Sequence, residues 1–301
     1  MFAAEIPHFE VVSLLIIILA VFASHRAAEL PRMRQPGWLR TLTGWLYVQR
    51  QRWPLAAGIG ALLVLYALPL GAVFLLLNFL STFWYGWAEF LVSVAILIYC
   101  WGPRDLDRDV AHSLKVNEGD LAEGARLRLI AGHPGAGEQP TSLVVLGAAL
   151  ERWFGPILWF LALGPMGALL YRMTQQLANR EELGARLSAD QAETVQYLLF
   201  LLNFPIAWAM TLSLAVIGHF DSVLGAGRRH VAEHGTGWLS CRLDVLYVTA
   251  RPSLLASLET AGKDTDLESA DAVSMALAMA WRILFLWLTL LAVFVLAGWL
   301  A

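Results

Sequence analysis

Hydrophobic and polar residues run along this chain in long blocks, a pattern of spans and connections instead of the short periods of a soluble domain. Val11–Ala23 is apolar apart from Ser13, and extends to Ile6–Ser24 if Glu10 carries its charge out to the interface. Pro54–Gly102 is too long for one crossing of a bilayer and suits two helices of about 20 residues each, with a turn near Asn78–Tyr85. Glu89 would then stand a turn inside the second of them. Further apolar blocks follow at Gly155–Tyr171, Tyr197–Gly218 and Ile283–Leu300. The pattern predicts an all-α polytopic integral membrane protein. It has five to six transmembrane helices in one helical domain over residues 1–301, with cytoplasmic helical loops.

The polar blocks differ from one another. His25–Trp53 interleaves six arginines and one acid with Trp38, Trp45, Tyr47 and Trp53. That mixture suits a segment lying on an anionic leaflet, or an ordinary basic loop on the cytoplasmic side. In 103–140, Leu106, Val110 and Leu114 make a helical stripe that Gly119 can end. Asp120 and Glu123 then resemble a capping box that starts a second short helix. Arg172–Gln196 reads as a short polar loop, and 219–280 as a second polar region with apolar patches. The segments 25–53, 103–140 and 219–280 carry 6, 5 and 5 Lys+Arg, against 0, 0 and 3 in 1–24, 78–85 and 172–196. The two sets alternate, so the first should face the cytoplasm.

Composition agrees with the pattern. Hydrophobic residues make up 58% of the chain and charged ones 15%, and 13 of 301 residues are tryptophan, the side chain that collects at membrane interfaces. A net charge of -3 with no basic, aromatic-interleaved recognition patch gives no sign of nucleic-acid binding. Cys100 and Cys241 lack redox or metal-ligand spacing.

Candidate chemistry is sparse. Arg104, Asp105, Asp107, Arg108 and Asp109 crowd the point where the chain leaves the apolar block, either as a hydrated helix entrance or as a ligand site. His112 and His133 flank the short helices, either as proton-exchanging groups or as solvated surface histidines. Gly132–Gly137 is glycine-rich but lacks the Gly-Lys-Ser/Thr ending of a phosphate loop. His230-Val231-Ala232-Glu233-His234 matches H-x-x-E-H, yet no third protein ligand is identifiable, so no metal site is expected and the cofactor stays unknown.

Several motifs together resemble the AmpE family. They are Leu127-Arg128-Leu129-Ile130 leading to Gly132-His133-Pro134-Gly135-Ala136-Gly137, and Phe154-Gly155-Pro156-Ile157-Leu158-Trp159-Phe160. Gly164-Pro165-Met166-Gly167-Ala168-Leu169-Leu170-Tyr171, Ile217-Gly218-His219 and Ala272-Val273-Ser274-Met275-Ala276 complete the set. The resemblance implies a bacterial inner-membrane regulatory protein linked to cell-wall recycling and β-lactamase induction. It also implies that Gly132, Pro134, Gly155, Pro156, Trp159, Gly164, Gly167, Tyr171, Gly218 and His219 are family positions.

That family is in turn similar to the CbiB/CobD amide-forming membrane enzymes of cobalamin synthesis, whose Gly-Asp-Leu-x-x-Ala-Arg helix resembles Asn117–Arg126. The enzymes carry Glu-Asn-Thr-Ser-Asp where this chain has Glu151-Arg152-Trp153-Phe154-Gly155. Their later Thr-x-Asp is replaced by Met173-Thr174-Gln175-Gln176.

The expected function is regulation through cytoplasmic loops, with a membrane enzyme of altered site as the alternative. The expected functional surface comprises Arg104, Asp105, Asp109, His112 and Glu151. The expected partners are membrane lipids, a cytoplasmic protein or cell-wall metabolite, and a second copy of the chain.

Overall fold

A computed structural model describes residues 6–26, 37–49, 59–81, 87–101, 106–115, 139–179, 187–218, 220–233 and 244–297. Among the described residues the regular structure is entirely helical. The chain divides into two compact units, one of Met1–Pro103, Gly155–Leu199 and Gly298–Ala301, the other of Arg104–Phe154 and Phe200–Ala297.

The first unit contains α1 (Ile6–Arg26), α2 (Gly37–Gln49), α3 (Ile59–Ser81), α4 (Trp87–Cys100) and α7 (Gly155–Ala178). In it α4 packs against α1, α3 and α7, and α2 lies on α3. Ile16, Ile17 and Ala20 of α1 and Leu97 and Cys100 of α4 are buried, while Leu15, Ile18, Leu19 and Phe22 remain exposed. Glu89 is half-buried in the first turn of α4.

The second unit contains α5 (Leu106–Lys115), α6 (Thr141–Ala149), α9 (Phe220–Glu233), α10 (Asp244–Thr260) and α11 (Ala270–Leu296). Every residue of α6 is buried, as expected of a short helix whose Leu143-Val144-Val145-Leu146 run is apolar on all sides. Helices α5, α10 and α11 pack around it, and α9 packs on α10. Helix α8 (Ala189–Ile217) begins in the first unit and continues through Phe200–Ile217 in the second.

Four segments are long and apolar enough to cross a membrane: Ile59–Ser81, Thr141–Ala178, Ala189–Ile217 and Ala270–Leu296. Val12–Ser24 and Trp87–Cys100 are shorter apolar helices. Leu63, Leu75 and Phe79 on α3 and Phe285 and Val293 on α11 stand exposed along such segments, where lipid is the natural neighbour of large apolar side chains. Thr141–Ala178 is 38 residues, about 57 Å as helix, well beyond an apolar bilayer core of about 30 Å. Its charge-free stretch Trp153–Tyr171, bounded by Arg152 and Arg172, is the part suited to lipid.

Helix ends correct the sequence reading in two places. Arg172–Gln196, expected as a polar loop, is helical from Arg172 to Ala178 and again from Ala189. Ser188 and Gln191 form a reciprocal capping box, with Ser188 N–H donating to Gln191 Oε1 at 3.0 Å and Gln191 N–H to Ser188 Oγ at 3.4 Å. Gln196 Nε2 donates to the Ala178 carbonyl at 2.8 Å, satisfying an acceptor that the end of α7 would otherwise leave open. The last helix likewise starts at Ala270, ahead of the expected Ile283, because Ser269 Oγ accepts the Ala272 N–H. Before it, Gly262 (φ 65°) closes α10 in a Schellman arrangement, with Lys263 N–H on the Leu258 carbonyl and Gly262 N–H on that of Glu259.

At the start of α6, Glu268 supplies the cap from far along the chain. Its Oε2 accepts from the Thr141 N–H at 3.2 Å and from Thr141 Oγ1 at 2.6 Å. A carboxylate there meets both an open backbone donor and the positive end of the helix dipole. Glu268→Gln is expected to lower stability by about 1 kcal/mol. Reversible unfolding in detergent measures it, and an unchanged midpoint would mean that water caps α6 equally well.

Candidate functional site

The polar interior of the second unit is built where α6 gives way to a wide π turn at Leu150–Phe154. Such a turn accommodates one residue more than an α-helical turn, re-aims the side chains beside it, and is frequent at functional positions. Here Leu150, Glu151, Arg152, Trp153 and Phe154 are all buried. Arg152 reaches α5, where its guanidinium pairs with Asp109 Oδ2 at 2.7 Å, both side chains at most a tenth exposed. Burying two charges is tolerable only as such a close, hydrogen-bonded pair.

Aromatic side chains hold the neighbourhood in place. Trp281 of α11 donates through Nε1 to Asp107 Oδ1 at 3.0 Å, and its ring lies 5.1 Å from that of Trp153. Phe154 meets Trp287 edge-on at 4.9 Å, and Trp287 Nε1 donates to Ser213 Oγ at 2.9 Å. The two acids of α5 are thus fixed from different elements, Asp107 by an indole and Asp109 by a guanidinium.

Tyr247 of α10 completes the cluster. It is 4% exposed and lies against Gly147, where a Cβ would overlap its hydroxyl. Burial pushes its hydroxyl well above the ordinary tyrosine range, and the Glu151 and Asp244 carboxylates add to the shift. It therefore remains a protonated donor, yet it finds no hydrogen-bond partner among the described residues. Glu151 follows Gly147 by one helical turn, so a buried acid and a buried phenol belong to one neighbourhood.

Of the residues expected to act together, Asp109 and Glu151 are both buried in this unit. His112 is exposed on α5, and Arg104 and Asp105 lie outside the described residues. Gly132, Pro134 and His219 also lie outside them. His230 is buried on α9, but His234 is again outside, so the H-x-x-E-H pattern has only its first histidine within the description. Among the described residues no three His, Cys, Asp or Glu side chains cluster as a metal site would require.

The remaining positions that carry the resemblance have packing roles. Gly155 and Tyr171 meet inside the first unit, where a Cβ on Gly155 would run into the phenol ring. Pro156 is buried and Trp159 half-buried in the opening turns of α7. Gly164 breaks the helix at φ 65°, ψ -156°, and Gly167 closes on the Trp159 carbonyl. Gly218 lies against Ser253 Oγ in the second unit.

Sequence reasoning missed Arg152, Tyr247 and Trp281. The signal for Arg152 was a charge inside an otherwise apolar run, which by default deserves suspicion in a membrane helix. Tyr247 and Trp281 offered no comparable sign. In comparison with known proteins, no family model matches the chain, and neither a curated protein nor a solved structure does.

Proposed function

We propose that the protein is an AmpE-like regulatory protein of the bacterial inner membrane, linked to cell-wall recycling and β-lactamase induction. In this reading both ends lie outside the cytoplasm, and the polar regions 103–140 and 219–280 lie inside. A cell-wall metabolite or a cytoplasmic protein engages those polar regions and acts on the buried cluster of Asp109, Glu151 and Arg152.

One observation carries the reading. The position that brings an acid-rich stretch to the similar amide-forming enzymes keeps a single carboxylate here, Glu151, and the next residue is an arginine that neutralises Asp109 at 2.7 Å. An amide-forming site handling phosphates and a cation needs several carboxylates free to ligate. A closed ion pair beside one buried acid is better suited to a two-state response, in which a ligand or partner competes for one member of the pair.

The enzyme alternative rests on a different feature, the buried, protonated Tyr247 hydroxyl in the neighbourhood of Glu151, a donor that a ligand could accept from. A deletion strain complemented with wild-type and site variants, read by β-lactamase induction, tests the regulatory proposal. Loss of the gene without any change in induction would remove it.

A further inference from the structure

In the second unit, contacts between helices fix how deep each one sits. Thr211 of the spanning helix α8 lies seven residues before Gly218, about 10 Å back along the helix. Its hydroxyl is 3.2 Å from that of Thr249 on α10. A Cβ on Gly227 of α9 would in turn stand 3.4 Å from the methyl group of Thr249. Had the helix run straight on from Gly218, residue 227 would lie about 14 Å further from the membrane. Instead α9 folds back, and Gly227 returns to within a side chain of the level of Thr211.

The last helix marks the same boundary independently. Trp287 Nε1 donates to Ser213 Oγ at 2.9 Å, which puts those two residues at one depth. As consecutive candidate crossings, α8 and α11 run in opposite directions. Gly218 lies five residues after Ser213, and Arg282 five residues before Trp287, so both stand at one level. Residues 283–301 carry no charge. Arg282 is exposed at the edge of that apolar stretch, the depth of lipid phosphates.

The face of α9 held at this boundary is basic. Val223, Ala226 and Gly227 are buried, whereas Phe220, Arg228 and Arg229 are exposed. Arg251 is exposed on α10, two residues beyond Thr249. None of Arg228, Arg229, Arg251 and Arg282 forms an ion pair among the described residues. Arg229 Nε donates to the Gly225 carbonyl of its own helix at 3.3 Å. Exposed acids of the two helices stand in their end turns, Asp221 on α9 and Asp244 and Glu259 on α10, with the arginines between. Unpaired arginines beside an apolar boundary favour a negative headgroup.

We propose that α9 is an interfacial helix whose exposed face rests on the leaflet and selects anionic phospholipid, with Arg228, Arg229 and Arg282 as the headgroup contacts. The site does not depend on the regulatory reading.

A fluorophore attached through Gly225→Cys tests it, in the full chain with Cys100 and Cys241 replaced by alanine. The added Cβ meets open space, and Ser222→Cys, also exposed on α9, serves should that variant fail to fold. The protein is placed in nanodiscs of equimolar phosphatidylglycerol and phosphatidylcholine, one lipid at a time carrying a nitroxide quencher at the head of its acyl chain. Labelled phosphatidylglycerol should quench about fivefold more than labelled phosphatidylcholine, the factor one arginine contributes at an anionic surface. Arg228→Gln combined with Arg229→Gln should bring the ratio close to one. The same fluorophore at Thr265→Cys should be quenched by neither lipid, because that exposed turn precedes α11, which starts about 18 Å from Arg282. Quenching at position 225 no greater than at 265 would overturn the interfacial placement. Equal quenching by the two lipids would overturn the anionic selectivity, and an unchanged ratio in the double variant would overturn the arginines as its source.

Discussion

Replacing Asp109 with alanine should lower the unfolding free energy by about 3–5 kcal/mol, the cost of stripping the partner from a buried charge. Arg152 is 5% exposed and its guanidinium is 2.7 Å from Asp109 Oδ2, so its charge has little water to fall back on. The attraction itself is a weak source of stability, because desolvation of both groups offsets most of it. Asp109→Leu combined with Arg152→Met should therefore stay near the wild type or exceed it, although Asp109→Ala alone is severe. Reversible unfolding in mixed detergent micelles distinguishes the two. If the single and double variants lost stability equally, the pair would be ordinary packing and no isolated charge would be involved.

A second large effect is expected at Gly167. Alanine there would bring Cβ against the Trp159 carbonyl, a backbone atom fixed by the break at Gly164. The loss should reach the upper part of the 1–3 kcal/mol that overpacking costs, about 3 kcal/mol. Gly164→Ala meets open space and should cost about 1–3 kcal/mol through its backbone alone, since its dihedral angles belong to glycine. Gly71 sits in α3 with nothing near it, so Gly71→Ala should be neutral or gain up to about 1 kcal/mol from helix propensity. Thermal unfolding of the three variants gives the ranking, and a Gly167→Ala midpoint equal to that of Gly71→Ala would contradict it.

Those glycines mark where sequence reading stops. All three lie in apolar blocks and look alike in the sequence. What separates them is a carbonyl eight residues away that approaches only because the helix breaks. The blocks themselves were legible, since a run of apolar residues without charge has few alternatives to a buried or lipid-facing helix. Boundaries were less so. Arg172 and Thr174–Gln176 look like a loop by polarity, but they are buried in the last turns of α7, with Tyr66 Oη donating to Thr174 Oγ1 at 3.1 Å and Arg172 donating to Gln175. Polarity reports the cost of burial, and partners of this kind offset that cost without leaving a periodic trace.

The site was half legible for the same reason. Asp109 and Glu151 stood out as charges beside apolar sequence, whereas the pair that closes the cluster joins residues 43 positions apart. No local spacing rule connects them. His112, three residues further along the same helix, shows the converse: it falls in the exposed set although Asp109 is buried.

The regulatory account stands or falls on whether Glu151 and the charges around it transmit a signal. β-Lactamase induction should be measured in a deletion strain carrying wild-type or variant genes at matched membrane levels, with thermal stability recorded for each protein. The account predicts that the wild type restores regulated induction and that Glu151→Gln fails to, while folding as well as the wild type. Full restoration by the combined Arg104→Ala, Asp105→Ala, Glu151→Gln variant would contradict it.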